Sequence, residues 1–141
     1  MKEKKTDDLC QALMEEPNLS SYLSDNQSYF EDQHPDVFLT ALYRKMKISK
    51  AELARRAGMS EVYLHQVFSG RRSPSRDRLL CLCIGMEATL EETQEILKMT
   101  GYGLLYTKHR RDAIIAHGLV HHTPLAEIND ALYTENEKTL F

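Results

Sequence analysis

The spacing of apolar side chains along the chain is helical almost throughout. Leu64, Val67 and Phe68 recur at intervals of three and four residues, which places them on one face of a helix. From Leu79 to Met86 apolar residues instead occupy nearly every face, so this helix is predicted to lie at the centre of a core. The pattern therefore predicts an all-α protein with one helix buried on all sides.

Two short helices are predicted around a tight turn. Ser49 is followed three residues later by Glu52, a capping box that opens a helix over residues 50–57. Gly58 ends it, because glycine accepts the left-handed backbone conformation that a helix terminus often needs. Ser60 then supplies the N-cap of a second helix.

Upstream of this pair the sequence predicts a helical arm and one further helix. A helix over residues 7–16 stops before Pro17, and residues 19–23 add a turn. A polar stretch over residues 24–34 separates the arm from the core, and Asp36 is predicted to cap the helix that follows.

Downstream, two more helix starts are marked by capping residues. Ser73 and Pro74 predict the N-cap and first-turn proline of the buried helix. Thr89 and Glu92 form a second capping box, and Gly101 ends that helix.

The last third of the chain predicts a further helix pair. Residues 110–121 place Ile114, Ile115, Leu119 and Val120 on one side, and Thr123 with Pro124 caps a last helix. These two helices either cover the buried helix or pair with a second copy of the chain.

The helix pair resembles the phage-repressor helix-turn-helix superfamily, which includes lambda repressor, Cro and the Xre-like regulators. The resemblance covers roughly residues 36–87. It is carried by Ala54, Gly58, Met59, Leu64, Val67 and the trailing Phe68-Ser69-Gly70 before a basic loop.

The resemblance implies a five-helix repressor-like helix-turn-helix core with an N-terminal helical arm and a C-terminal helical extension. The predicted boundaries are residues 1–34 for the arm and linker, 35–101 for the DNA-binding domain and 102–141 for the extension. Ala54 is the expected crossing point of the two short helices, because close approach needs a small side chain.

The outer face of the second short helix is the candidate base-reading surface. Val62, His65, Gln66 and Ser69 point away from the apolar stripe on a helical wheel, and Glu61 lies on its flank. Gln66 has the amide that pairs with adenine, and Val62 suits a thymine methyl group. His65 and Ser69 are general polar readers. Glu61 either accepts a hydrogen bond from cytosine or favours the helix dipole.

Positive charge is concentrated on the same segment. Residues 44–78 hold ten basic and three acidic residues, although the formal net charge of the chain is −3. Such a local excess is typical of phosphate contact, and the alternative is a solvated surface that happens to be basic. The predicted phosphate-binding residues are Lys50, Tyr63, Arg71, Arg72, Ser73 and Arg76. Tyr63 either reaches a phosphate or fills the seam between helices, and the loop arginines either bind phosphate or pair with Asp77 or Glu52.

Other classes of function find little support. The longest apolar run is far shorter than the roughly 20 residues that span a bilayer, and the amino terminus lacks a signal-peptide core. Three cysteines without a framework spacing indicate free thiols in a reducing cytosol, and Cys81 and Cys83 cannot close a disulfide within one helix. His117 and His121 lie one turn apart without further ligands, so no metal site is predicted. The sequence also has no glycine-rich phosphate loop, serine elbow or paired-acid arrangement, so no cofactor or catalytic site is predicted.

The sequence therefore predicts a cytoplasmic, sequence-specific transcriptional regulator that binds double-stranded DNA as a homodimer. The alternative is a protein-binding adaptor or inhibitor that reuses the scaffold without reading DNA. Glu61 and Val62 on the outer face, with the negative net charge, motivate this alternative.

Overall fold

The computed structural model describes residues 6–26 and 34–141, and these residues form nine α-helices and no strand. The all-α prediction is thereby confirmed. The chain divides into two units, residues 1–33 and residues 34–141. The helices are α1 (Thr6–Glu15), α2 (Leu19–Asp25), α3 (Pro35–Arg44), α4 (Lys50–Ala57), α5 (Glu61–Phe68), α6 (Arg76–Gly85), α7 (Leu90–Met99), α8 (Arg110–Val120) and α9 (Leu125–Thr134).

The described part of the first unit contains α1 and α2. Pro17 lies between them, and the side chain of Asn18 caps α2 by accepting a hydrogen bond from the Ser21 amide at 3.0 Å. Both helices lie within two residues of their predicted bounds. Residues 27–33 of the predicted polar stretch lie outside the described residues.

The second unit is built around α6. Leu79, Leu80, Leu82 and Cys83 have no exposed surface, as predicted for a helix that is apolar on nearly every face. Helices α4, α7, α8 and α9 all pack against it. The approach of α4 is close at Gly85, where an added Cβ would lie 3.2 Å from a Leu53 methyl group.

The predicted start of α6 is wrong by two residues. Ser73 is exposed and caps nothing, and the helix begins at Arg76. Ser75 is the N-cap, and its Oγ accepts a hydrogen bond from the Arg78 amide at 3.3 Å. Proline is compatible with a position just before a helix as well as with its first turn, so Pro74 left two registers open.

Two other predicted caps are wrong for the same reason. Helix α3 begins at Pro35, which puts Asp36 inside the first turn and leaves the helix without a side-chain cap. Pro124 occupies the N-cap position of α9, where Thr123 was expected to act, and no side chain caps that helix.

The two predicted capping boxes have different outcomes. Thr89 and Glu92 form both reciprocal hydrogen bonds, at 2.9 and 3.0 Å. Ser49 caps α4 because its Oγ accepts a hydrogen bond from the Glu52 amide at 3.1 Å. The Glu52 carboxylate accepts from Arg55 and Arg56 of the same helix and not from the Ser49 amide. The first box is therefore only half formed.

The C-terminal helices cover the core. Ile115 and Leu119 of α8 and Ile128 and Leu132 of α9 are buried. Val120 was predicted to face inward, yet its side chain is 54% exposed. The buried face of α8 contains Ile115 and Leu119, and Val120 lies about 100° further around the helix than Leu119. Of the two predicted arrangements, this one occurs; pairing with a second copy stays a prediction.

The chain after α9 returns to the helix-turn-helix segment. The Leu140 amide donates to Asn129 Oδ1 at 2.7 Å, and Leu140 is buried. Phe141 then lies against the turn after α4, where a Cβ on Gly58 would be 2.8 Å from its ring. No helix among the described residues is long and apolar enough to cross a membrane.

Candidate nucleic-acid interface

The turn between α4 and α5 fixes which face of α5 is exposed. Gly58 adopts φ 65° and ψ 36°, and the Met59 amide donates to the Ala54 carbonyl at 3.0 Å. Ser60 Oγ then accepts from the amide at the first turn of α5 at 3.1 Å. Leu64 and Val67 are buried, so the opposite side of α5 faces solvent. The predicted register of both helices is confirmed.

The predicted base-reading residues line one cleft, except for Glu61. Val62 is 69% exposed, His65 and Ser69 are exposed, and Gln66 is half-buried. The cleft has a volume of about 670 Å³, and we call it the α5 cleft. Its lining comprises Thr40, Tyr43, Arg44, Lys50, Val62, His65, Gln66, Phe68, Ser69 and Arg71.

Three cationic side chains line the α5 cleft: Arg44, Lys50 and Arg71. None of them forms an ion pair with any residue that the structure describes. The Lys50 ammonium lies 5.5 Å from the centroid of the Phe68 ring, a cation–π contact that leaves its charge available. Arg44 was not singled out from the sequence; its place in the basic segment was the only signal.

Glu61 does not line the α5 cleft. Its carboxylate is 3.7 Å from His65 Nε2, so the two form an ion pair when His65 is protonated. A carboxylate in the first turn also interacts favourably with the helix dipole. The position of Glu61 in the first turn and outside the cleft lining favours the dipole interpretation over cytosine recognition.

Arg72 and Tyr63 form a cluster beside the cleft. Arg72 Nε donates to Gln66 Oε1 at 3.1 Å, and its guanidinium carbon lies 5.6 Å from the Tyr63 ring centroid. Arg78 lies over the same ring at 4.6 Å. Tyr63 is half-buried and packs against the core, which favours the seam interpretation of this residue.

Arg76 does not line the α5 cleft, whereas Lys50 and Arg71 of the predicted phosphate-binding residues do. Its guanidinium hydrogen-bonds both carboxylate oxygens of Asp112, at 3.2 and 3.3 Å. It also donates to the carbonyls of Gly103 at 2.9 Å and Leu104 at 3.2 Å. Asp112 is buried and also accepts from the Tyr106 amide. These contacts favour a structural role for Arg76 over the predicted phosphate contact.

The two α4 arginines share one carboxylate of their own helix. Arg55 and Arg56 both donate to the Glu52 carboxylate. Their hydrogen bonds lower the pKa of Glu52 to about 2. Glu52 is already counted among the three acidic residues of the segment 44–78. The local positive excess falls further because Arg56 also pairs, at 3.9 Å, with Glu87, which lies outside that segment.

The predicted alternative partners of the basic loop are already engaged elsewhere. Asp77 pairs with Arg111 at 3.0 Å, and Glu52 pairs within α4. Arg71 and Arg72 consequently form no ion pair with the described residues. Ser73 in the same loop is exposed.

His117, His121, Cys81 and Cys83 do not line the α5 cleft. His117 and His121 stack at 4.1 Å between ring centroids, and no group of three potential metal ligands occurs in the described ranges. Cys81 and Cys83 are buried in α6, and burial raises the pKa of each thiol to about 12.

Comparison with known families decides what the α4–α5 segment is. A family model described as a helix-turn-helix domain matches residues 37–96, which run from the first turn of α3 into α7. The chain carries a helix-turn-helix domain. The match agrees with the repressor-like resemblance of the sequence, and α5 is the second helix of the motif. No curated protein and no solved structure matches the chain.

Proposed function

We propose that the helix-turn-helix domain binds double-stranded DNA sequence-specifically and that the protein is a transcriptional regulator of the cytoplasm, a binding protein and not an enzyme. The observation that carries this proposal is the α5 cleft. It combines an exposed face of α5 with cations from α3, α4 and the basic loop that are not neutralised by neighbouring acids.

Arg44, Lys50 and Arg71 are the proposed phosphate contacts. Three separate elements supply them, and all three side chains line the α5 cleft. Contacts of this kind give affinity for any sequence and fix the orientation of the domain on the duplex. Each neutralised phosphate contributes a slope of about −0.9 to the dependence of log affinity on log salt.

Val62, His65, Gln66 and Ser69 are the proposed specificity surface. An α-helix fits the major groove of B-DNA, where every base pair presents a distinct set of donors, acceptors and methyl groups. The exposed Val62 side chain suits a thymine methyl group, whereas His65 and Ser69 present polar groups.

Selection from a random duplex library, followed by salt titration on the selected duplex, tests the proposal. Arg71→Ala is expected to weaken binding to all sequences and to reduce the salt slope by about 1. The matched control is Arg110→Ala, which removes the same charge from an exposed position on α8. The proposal fails if no sequence is enriched, or if the affinity does not change with salt.

We also propose that two copies bind together. One module reads few base pairs, and repressor-like domains pair on half-sites about 34–36 Å apart. The exposed side chains of Val120 and Tyr133 on the C-terminal helices are consistent with an unpartnered surface there. Sedimentation of the protein with its selected duplex is expected to give a 2:1 complex; a 1:1 complex at micromolar protein contradicts pairing.

A protein-binding adaptor is the competing function. Affinity capture from a nuclease-treated lysate separates the two. Stoichiometric recovery of a protein partner, together with the absence of duplex enrichment, favours the adaptor.

A further inference from the structure

We propose that Arg72 reads a guanine in the major groove and that Gln66 holds it in position for this contact. This inference rests on the proposed function and changes two roles assigned from the sequence. There, Gln66 reads adenine and Arg72 binds phosphate.

The hydrogen bond between the two side chains sets the orientation of the Gln66 amide. Arg72 Nε lies 3.1 Å from Gln66 Oε1. A guanidinium has donors only, so the group of Gln66 that faces it must be the amide oxygen. Recognition of adenine requires the amide oxygen and the amide nitrogen together on one base. With its oxygen directed at Arg72, Gln66 no longer presents that pair to the groove.

The same hydrogen bond leaves the guanine-binding edge of Arg72 open. Only Nε is used, and Nη1 and Nη2 donate to no group in the described part of the chain. These two nitrogens form the fork that matches O6 and N7 of guanine. A phosphate contact would need no such orientation.

The guanidinium of Arg72 is also supported from a second side. Its carbon lies 5.6 Å from the centroid of the Tyr63 ring, and Tyr63 packs against the core. The backbone is fixed as well, because the Arg72 amide donates to the Gln66 carbonyl at 3.2 Å. Pre-positioning reduces the conformational entropy that a long side chain loses on binding.

Arg71, the adjacent arginine, differs from Arg72 in its side-chain contacts. It lies in the same loop and carries the same charge, yet its side chain has no hydrogen-bond partner among the described residues. It lines the α5 cleft as a free cation. The two adjacent arginines are therefore expected to differ, with Arg71 contributing to affinity and Arg72 to base preference.

The test compares duplex selections by the full chain and four variants. Arg72→Lys keeps the charge but loses the fork, so the preference for one guanine per half-site should fall by about 5- to 150-fold with an unchanged salt slope. Gln66→Ala should weaken the same guanine preference, whereas Gln66→Glu keeps an oxygen acceptor and should retain it. Arg71→Lys, the matched control, should select the wild-type sequence.

The outcomes separate this inference from the proposed function. If wild-type protein enriches a sequence and Arg72→Lys selects the same sequence with equal preference, the role of Arg72 is wrong and DNA binding stands. An adenine preference that is lost in Gln66→Ala but kept in Arg72→Lys also overturns the inference. If wild-type protein enriches no sequence at all, both proposals fail together.

Discussion

Replacing Arg76 with alanine is expected to destabilise the fold without changing the salt dependence of DNA binding. Arg76 holds the Asp112 carboxylate, whose side chain is 9% exposed, and two loop carbonyls. Removing one partner of a buried ion pair costs about 3–5 kcal/mol, because the other charge is left uncompensated. Since 23% of the Arg76 side chain is exposed and the Tyr106 amide still donates to Asp112, we expect the lower end, about 3 kcal/mol.

Denaturant titration measures this loss directly. The denaturant concentration at the unfolding midpoint should fall. The slope of the unfolding free energy against denaturant concentration should stay constant, because unfolding exposes the same surface area. Adding Asp112→Ala to the variant should cost less than the sum of the two single changes, because the unpaired carboxylate is then gone. Arg110→Ala is the control: its ion pair is exposed, and such pairs contribute about 0–1 kcal/mol.

DNA binding by the same variant decides between the two roles of Arg76. If Arg76 is structural, the folded variant keeps the wild-type salt slope. A variant of unchanged stability whose slope is reduced by about 1 would show instead that Arg76 contacts phosphate, and the structural role would be refuted.

Two further predictions concern the buried helices. Gly118→Ala should destabilise the protein by about 1–2 kcal/mol, because the new methyl group would lie 2.4 Å from Ile128 Cδ1 and overpacking outweighs the better helix propensity. The same change in an Ile128→Ala background should be neutral or stabilising by denaturant titration, and equal effects in both backgrounds contradict the packing of α8 on α9. Under native conditions a thiol reagent should modify the exposed Cys10 quickly, whereas Cys81 and Cys83, buried with thiol pKa values of about 12, should react only after unfolding. Rapid modification of three thiols in the folded protein would be inconsistent with a buried α6.

Local signals made the helix-turn-helix segment predictable. Ser49, Gly58 and Ser60 each act on backbone groups within three or four residues, so their effects follow from the sequence order alone. The outward direction of Gln66 followed from helical periodicity in the same way. Where a proline allowed two registers, as at Pro74, the helix start was missed.

Contacts between distant parts of the chain were not predictable from one sequence. Arg76 and Asp112 are 36 residues apart, and nothing in the basic loop distinguishes Arg76 from Arg71 until α8 is placed beside α6. The packing of Phe141 on Gly58 depends in the same way on the path of α9 and the chain after it. The Arg72–Gln66 hydrogen bond spans only six residues, yet it requires the loop after α5 to fold back, which the sequence pattern does not specify.

The central claim is that the outer face of α5 contacts DNA, and mapping amide chemical shifts by NMR during titration with the selected duplex tests it most directly. The account predicts salt-sensitive shifts that concentrate at residues 61–72 and at Arg44 and Lys50. Shifts confined to α8 and α9, with α5 unchanged at saturating duplex, would contradict it.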